Sequence, residues 1–212
     1  MHSPSDVRLP GITETYAYSI LLLSVTTELK IIMNLDIEKN RSERKWSNLE
    51  LVGRVVWSLC NPLFKFSPKL FWGWRVFMLR VFGAKIGKNV HIYPSVIIAI
   101  PWNLKIGCYV AIGDGVNLYS LGLIDISDSV TISQRAHLCG GSHDYTVSSM
   151  PLLKLPITIE KGVWVCAEAF VGPGVVIGQG SVVSARCVVM RDIPENVVAI
   201  GNPFILKSKR DL

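Results

Sequence analysis

The sequence predicts an all-β solenoid, a parallel β-helix of about five coils, behind an N-terminal cap of α-helices. Two observations predict it. From residue 86 to residue 194 an aliphatic residue recurs at every sixth position, and in the residues before this region the apolar positions follow helical spacing. Half of the 212 residues are hydrophobic and 18% are charged, so the chain can bury a large core.

A period of six residues fits neither a single strand, whose period is two, nor an α-helix, whose period is 3.6. In a parallel β-helix each coil has three short strands, and each strand turns one aliphatic side chain inward. We assign residues 85–203 to this β-helix, with register shifts before Ile106 and Ile126 and one long break after Leu138. The predicted inward residues are Ile86, Ile92, Ile98, Ile106, Ile112, Leu118, Ile126, Ile132, Leu138, Ile159, Val165, Val171, Ile177, Val183 and Val189.

The helical cap is assigned to residues 35–84, between an unpatterned extension at 1–34 and the β-helix. The capping-box pattern Ser47-Asn48-Leu49-Glu50 predicts the start of a short amphipathic helix, which we expect to end at Asn61-Pro62. At the other end of the chain, residues 204–212 read as a basic tail.

A second cap helix is predicted at residues 69–82, because Ser67-Pro68 is typical of an N-cap followed by a proline in the first turn. We expect its apolar positions to form one stripe toward the core. That stripe consists of Leu70, Trp74, Phe77, Met78 and Val81.

The positive charge of the chain is concentrated in the cap. Ten basic and two acidic residues lie between Arg41 and Lys88, together with four tryptophans, whereas the net charge of the whole chain is +6. A basic, aromatic segment fits a peripheral membrane contact, but a helical cap with a solvated basic face accounts better for most of these residues. Both interpretations stay open, and nucleic acid is not expected as a partner.

The sequence favours a cytoplasmic protein, with a position at the inner face of the membrane as the finer hypothesis. The apolar run within residues 17–25 is about half of the ~20 residues that a membrane span needs. Asp6 and Glu14 weaken any resemblance to a signal peptide. The five cysteines form no CxxC pair, which favours reduced thiols over a disulfide framework or a zinc site.

The long break in the repeat begins at Ser142-His143-Asp144 and ends near Pro156. An insertion of this kind escapes the packing constraints of the repeat, and such loops commonly carry functional residues. The break therefore predicts the location of the site.

The hexads at residues 106–111, 112–117 and 177–182 resemble the transferase hexapeptide repeat, whose family folds as a left-handed β-helix. Residues 126–145 resemble the galactoside, maltose and nodulation acetyltransferases. The similarity is closer to the colanic-acid biosynthesis acetyltransferases and covers about residues 35–207. It rests on Asn40-Arg41, Lys45-Trp46-Ser47, Ser67-Pro68, Trp72-Gly73-Trp74-Arg75, His91-Ile92-Tyr93-Pro94-Ser95, Pro101-Trp102-Asn103-Leu104, Ile132-Ser133-Gln134 and Gly201-Asn202-Pro203.

This resemblance implies an acetyl-CoA-dependent O-acetyltransferase that modifies a sugar hydroxyl in exopolysaccharide or surface glycan biosynthesis. His143 would be the general base, and no metal is expected. The transfer would be direct, and the sequence has no Gly-x-Ser-x-Gly nucleophile motif. The acceptor would be a sugar or a lipid-linked glycan, and the protein would be a homotrimer.

The resemblance also implies binding roles for six further residues. Asn117 would face the acceptor, and Trp164 would line a cleft shared between subunits. The donor would run past Ala167 and Ala185, and the basic side chains of Arg191 and Lys207 would lie near its phosphates. A purely structural role remains open for Asn117, as a corner residue, and for Trp164, as a buried interface residue.

Two other functions stay open from the residues alone. A γ-type carbonic anhydrase-like metalloenzyme would use His137 and His143, but zinc catalysis normally needs three protein ligands, and the sequence offers no convincing third. A non-catalytic β-helix scaffold would explain the basic segment but not the Ser-His-Asp break. Outside the metalloenzyme hypothesis, His91 and His137 are assigned ordinary structural roles.

Overall fold

The computed structural model describes residues 35–209, which divide into two compact units. The smaller unit contains residues 35–43 and Asp144–Pro151, and the larger contains Arg44–His143 and residues 152–209. The predicted extension at 1–34 lies outside the described residues.

The helices are α1 (Ile37–Ser42), α2 (Asn48–Lys65) and α3 (Trp72–Val81), and a 3-10 turn spans Pro101–Asn103. The strands are β1 (Lys85–Ile86), β2 (His91–Ile92), β3 (Ile97–Ile98), β4 (Leu104–Ile106), β5 (Ala111–Ile112), β6 (Asn117–Tyr119), β7 (Ile124–Ile126), β8 (Thr131–Ile132), β9 (His137–Cys139), β10 (Gly141–His143), β11 (Leu152–Lys154), β12 (Ile157–Ile159), β13 (Trp164–Val165), β14 (Phe170–Val171), β15 (Val176–Ile177), β16 (Val182–Val183), β17 (Val188–Val189), β18 (Val197–Ile200) and β19 (Ile205–Lys209).

Strands of successive coils stack in parallel and build three sheets. The first sheet has the order β1-β4-β7-β12-β15, the second β2-β5-β8-β13-β16-β18 and the third β3-β6-β9-β14-β17. Five coils are therefore complete, and β18 begins a sixth. This is the left-handed parallel β-helix that the sequence predicts.

The predicted inward residues form the core of the larger unit. All of them are buried except Ile86, which is half-buried and packs against the others. Glycine follows several of them because the corners of adjacent coils lie very close together. At Gly178, for example, a Cβ would lie 2.5 Å from the backbone nitrogen of Glu195 on the next coil.

Helix α2 begins as predicted and ends later than predicted. Ser47 Oγ accepts a hydrogen bond from the Glu50 N–H at 3.2 Å, and the Glu50 carboxylate accepts one from the Ser47 N–H at 2.8 Å. The predicted end at Asn61-Pro62 is wrong, because the helix continues through Pro62 to Lys65. Proline removes one helical hydrogen bond, and the full burial of Phe64 in the core offsets that loss.

Helix α3 differs from the prediction in its start and in its buried face. It begins at Trp72, behind Phe71 as an N-cap without a side-chain hydrogen bond, and not near residue 69. Of the predicted stripe only Met78 is buried. The buried face consists of Arg75, Val76, Met78 and Leu79. The helix α3 itself carries apolar residues on most of its sides, so their spacing alone does not show which side faces the core.

The buried guanidinium of Arg75 fixes the orientation of α3. Its Nε donates to the carbonyl oxygen of Ile92 in the first coil at 2.6 Å. Its terminal nitrogens donate to Ser67 Oγ and the Pro68 oxygen, both at 2.8 Å, and to the Lys69 oxygen at 2.5 Å. The α2–α3 connection and the first coil are thus held by one side chain, and the two helices cap the β-helix as predicted.

In the smaller unit, α1 is hydrogen-bonded to the loop that the sequence singles out. Asn40 is buried, and its amide donates to the carbonyl oxygens of Ser149 and Met150 at 2.5 and 2.6 Å. The Asp36 N–H donates to the Ser148 oxygen at 2.9 Å. The backbone carbonyls of the loop therefore accept hydrogen bonds from the Asn40 side chain and from the Asp36 N–H.

The segment predicted as a basic tail contains strand β19, which pairs antiparallel with β18 in the second sheet. Residues 210–212 lie outside the described part. Within residues 35–209, no helix combines the length and the hydropathy that a membrane crossing requires.

Candidate active site

The break in the repeat forms an antiparallel hairpin, β10–β11, which lies between the third coil, ending with β9, and the fourth, beginning with β12. His143 is the last residue of β10, is exposed, and pairs with Leu152 across the hairpin. Gly141 allows the hairpin to start close to β6, because a Cβ there would lie 2.7 Å from Leu121 Cδ1 and 3.2 Å from Tyr119 Cε1. The hairpin thus leaves the β-helix beside the end of the strand that carries Asn117.

Asn117 and His137 occupy equivalent positions on β6 and β9 and pair directly in the third sheet. The Asn117 amide nitrogen lies 3.4 Å from His137 Nε2. Asn117 Oδ1 is buried and has no hydrogen-bond partner among the described residues. A buried acceptor without a hydrogen bond costs free energy, and a hydroxyl group of a ligand could donate the bond that it lacks.

His137 is the member of this pair for which the sequence predicted only a structural role outside the metalloenzyme hypothesis. Its ring makes edge contacts with Tyr119 and Phe170, at centroid distances of 6.3 and 5.3 Å. Burial lowers the pKa of His137, because desolvation disfavours the imidazolium. The signal was present in the spacing, since one coil of 20 residues separates Asn117 from His137.

Trp164 opens β13 in the second sheet and is 46% exposed. Its indole Nε1 donates to Ser133 Oγ at 2.9 Å. The ring is therefore held in one orientation on the outer surface, between the flanking strands β8 and β16.

Ala167 and Ala185 occupy equivalent corners of successive coils, between the second and third sheets. The Ala167 carbonyl oxygen accepts from the Arg186 N–H at 2.9 Å. Ala185 is exposed and Ala167 is half-buried. Small side chains at both corners leave the backbone accessible along the edge of the solenoid.

An ion-pair network follows these corners, and the sequence analysis did not identify it. Glu168 accepts from Arg135 on the preceding coil and from Arg186 Nε on the following coil, the latter at 2.6 Å. The hydrogen bond from Arg186 and the two positive charges lower the pKa of Glu168. All three residues adopt left-handed backbone conformations, with φ between 57° and 59°. The network holds the corners beside Ala167 and Ala185 in register.

Arg191 and Lys207 lie near the C-terminal end of the solenoid. The Arg191 guanidinium lies 4.8 Å from the centre of the Phe204 ring, in a small cavity of about 180 Å³ that Met190 and Pro203 also line. Lys207 is exposed on β19. Both basic groups are thus available at the surface.

The structure brings some of the predicted residues together and separates others. Ala167 and Ala185 share one column of corners, and Asn117 lies on the third sheet, from which the His143 hairpin departs. Trp164 lies on the second sheet. Within residues 35–209, no group of three or more His, Cys, Asp or Glu side chains is arranged to hold a metal ion.

No model of a known protein family matches the chain. It is 47% identical over 157 residues to WcaF of Escherichia coli K12, which carries the name colanic acid biosynthesis acetyltransferase, and this match covers 74% of the chain and 86% of WcaF. It is 30% identical over 129 residues to galactoside O-acetyltransferase of the same strain, covering 59% of the chain and 64% of that enzyme.

Among solved structures, a hexapeptide-repeat-containing acetyltransferase of Vibrio cholerae in complex with acetyl coenzyme A superposes with a TM-score of 0.73. The match covers 79% of this chain and 92% of that protein at 23% identity. At this level of identity the superposition bears on the fold.

Proposed function

The chain belongs to the family of colanic acid biosynthesis acetyltransferases, and from this premise we propose that it transfers an acetyl group from acetyl-CoA to a sugar hydroxyl in exopolysaccharide or surface glycan synthesis. One observation carries the proposal. The hairpin that interrupts the repeat ends its first strand with His143 and leaves the solenoid beside β6, where the buried side-chain oxygen of Asn117 has no partner within residues 35–209.

His143 would act as the general base. Its neutral imidazole takes the proton of the acceptor hydroxyl while the oxygen attacks the carbonyl carbon of the thioester. Collapse of the tetrahedral intermediate breaks the carbon–sulfur bond, and the proton passes from the imidazolium to the thiolate of coenzyme A. The thioester is already activated, so no covalent acetyl-enzyme is needed.

Asn117 would position the acceptor. Its Oδ1 atom accepts from a sugar hydroxyl, which supplies the hydrogen bond that the described residues do not. His137 holds the other end of the same amide through Nε2, and the lowered pKa keeps this ring neutral and able to accept. The contact with His137 thus orients the Asn117 amide, and the His137 ring does not compete for the proton that His143 removes.

The donor, acetyl-CoA, would follow the edge of the solenoid. Backbone groups at Ala167 and Ala185 would contact its pantetheine arm, and Arg191 and Lys207 would pair with its phosphates, for which arginine is well suited. Trp164 would line the cleft from the second sheet. In a homotrimer this exposed indole would complete a site shared between neighbouring subunits.

The acceptor would be a sugar or a lipid-linked glycan, and the protein would act in the cytoplasm at the inner face of the membrane. The experiment that tests the function is mass spectrometry of the glycan from cells with and without this protein. We expect loss of acetyl esters without it, recovery with the wild-type chain, and no recovery with His143→Ala. An unchanged glycan, or full recovery with His143→Ala, would contradict the proposal.

A further inference from the structure

Helix α2 exposes a continuous apolar stripe beside the face that buries Trp57 and Phe64. The stripe residues are spaced by three and four positions, as on one face of an amphipathic helix. They are Leu49, Val52, Val56, Leu59, Leu63 and Phe66, all exposed. Phe66 is 87% exposed, a large fraction for a phenylalanine. A regular stripe of this kind normally has something packed against it.

Helix α3 and the turn before it continue this surface. Four of the five residues that the sequence predicts to face the core are instead exposed, Leu70 to 81%. We call the combined set the apolar cap surface. It consists of the α2 stripe together with Leu70, Phe71, Trp74, Phe77 and Val81.

The two helices are held in a fixed relation across this surface. Trp74 Nε1 donates to the carbonyl oxygen of Leu63 at 3.1 Å, and the Trp74 and Phe77 rings lie 6.0 Å apart. Between the helices runs an open groove of about 790 Å³, with Leu63, Phe66, Phe71 and Phe77 among its lining residues. The apolar surface is therefore a preformed feature, and contiguous apolar patches of this kind mark interaction sites.

The charges around the apolar cap surface select the partner. Between residues 44 and 85 there are eight basic residues and one acidic residue, Glu50. Arg75 is buried, and the other basic residues lie at the surface, with Lys65 and Lys69 next to the groove. Apolar and aromatic side chains beside an excess of lysine and arginine match the interface of an anionic bilayer.

We propose that the apolar cap surface docks the protein peripherally on an anionic lipid bilayer, with α2 and α3 inserted at the level of the headgroups. Contact with the same surface of a second copy would bring the basic groups of both copies together, which charge repulsion opposes. This inference goes beyond the acetyl transfer and rests on residues outside the proposed active site.

The test is flotation of the full-length chain with vesicles of phosphatidylcholine alone and with about 30% phosphatidylglycerol. We expect binding to the anionic vesicles, and weaker binding when salt rises from about 0.05 M to about 0.5 M, because salt screens surface charge. Leu70→Ser/Phe71→Ser should reduce the affinity at least about tenfold, since both exposed side chains lose their apolar contact. The matched control is Tyr109→Ser/Leu123→Ser, which alters exposed apolar residues elsewhere and should bind normally.

The charge is tested by Lys65→Glu/Lys69→Glu against Lys161→Glu/Lys209→Glu, which changes the net charge equally. The first pair should weaken binding to anionic vesicles more, because each basic residue near such a surface contributes about fivefold in affinity. Absence of binding by the wild type, or equal binding by the Leu70/Phe71 variant, would overturn the proposal.

Other occupants of the surface give distinct results. The variant Ile20→Ser/Leu21→Ser/Leu22→Ser/Leu23→Ser should still bind anionic vesicles. Loss of vesicle binding in this variant would assign the contact to the N-terminal segment. A lower oligomeric mass of Leu70→Ser/Phe71→Ser without lipid would assign the surface to a second copy. Acetyl-CoA protection in thermal melts should be unchanged in all variants, so failure of this proposal is distinguishable from failure of the proposed function.

Discussion

The side-chain nitrogen of Asn117 lies 3.4 Å from Nε2 of His137 on the next coil, while the Oδ1 atom of the same amide is buried and accepts no hydrogen bond from the part of the chain that the structure describes. The nitrogen of the Asn117 amide is therefore held by His137, and its oxygen is left to accept a hydrogen bond from a ligand. With His143 on the adjacent hairpin, this arrangement leads to the first three predictions.

His143→Ala should lower kcat by about 10²–10⁴-fold, the usual cost of losing a general base, and should lower kcat/KM in parallel. Acetyl-CoA binding, measured by calorimetry, should persist because the donor contacts come from other residues. His91→Ala is the matched histidine control, and near-normal turnover of the His143 variant would refute the assignment.

Asn117→Ala should raise the KM for the acceptor by about tenfold, which corresponds to the loss of one hydrogen bond. The KM for acetyl-CoA should not change, because the amide faces the acceptor side of the proposed site. Steady-state kinetics with each substrate varied in turn measure the two constants. A change in the KM for acetyl-CoA alone would show that Asn117 contacts the donor and not the acceptor.

His137 should make folding stability sensitive to mild acid. Its folded-state pKa is lowered by burial, so below the unfolded value of about 6.5 the unfolded state binds more protons than the folded state. The contribution of His137 to the free energy of unfolding is fully present above a pH of about 6.5 and is lost as the pH falls toward its folded-state pKa. His137→Gln should therefore flatten the fall in melting temperature between about pH 7.5 and pH 5. His91→Gln is the control, and an unchanged slope in the His137 variant would contradict this reasoning.

Arg75→Met should destabilise the chain by about 3–5 kcal/mol, because it leaves the carbonyl oxygens of Ile92, Pro68 and Lys69 without the donors that Arg75 supplies. Arg80→Met is the control. Arg80 is exposed and donates to the oxygens of Ile86 and Gly87, where water can replace it. Urea unfolding of both variants measures the difference, and equal losses would show that burial of Arg75 is not the cause.

The wild-type protein should have a mass in light scattering about three times the 23.5 kDa of one chain. Trp164→Ala should reduce activity, and at low concentration also the trimer fraction, because the exposed indole would line a cleft between subunits. A monomeric mass at micromolar concentration with full activity would disprove the shared site.

The spacing of the sequence was sufficient to predict the β-helix, because a coil of three short strands has room inward for one aliphatic side chain per strand. The hexad positions from Ile92 to Val189 are accordingly buried. The same coil length also places Asn117 beside His137, although their contact was not predicted. Family resemblance, and not spacing, supplied the roles proposed for His143 and Trp164.

Only the tertiary structure decided how the cap helices face. Both sides of α2 and α3 carry apolar residues, so hydropathy alone does not say which side meets the β-helix. Arg75 decides for α3, because its guanidinium reaches the Ile92 oxygen, 17 residues away in sequence, and must be buried to do so. That rotation buries Leu79 and turns Trp74 and Phe77 outward. A hydrogen bond between distant segments thus selected between two faces of similar hydrophobicity.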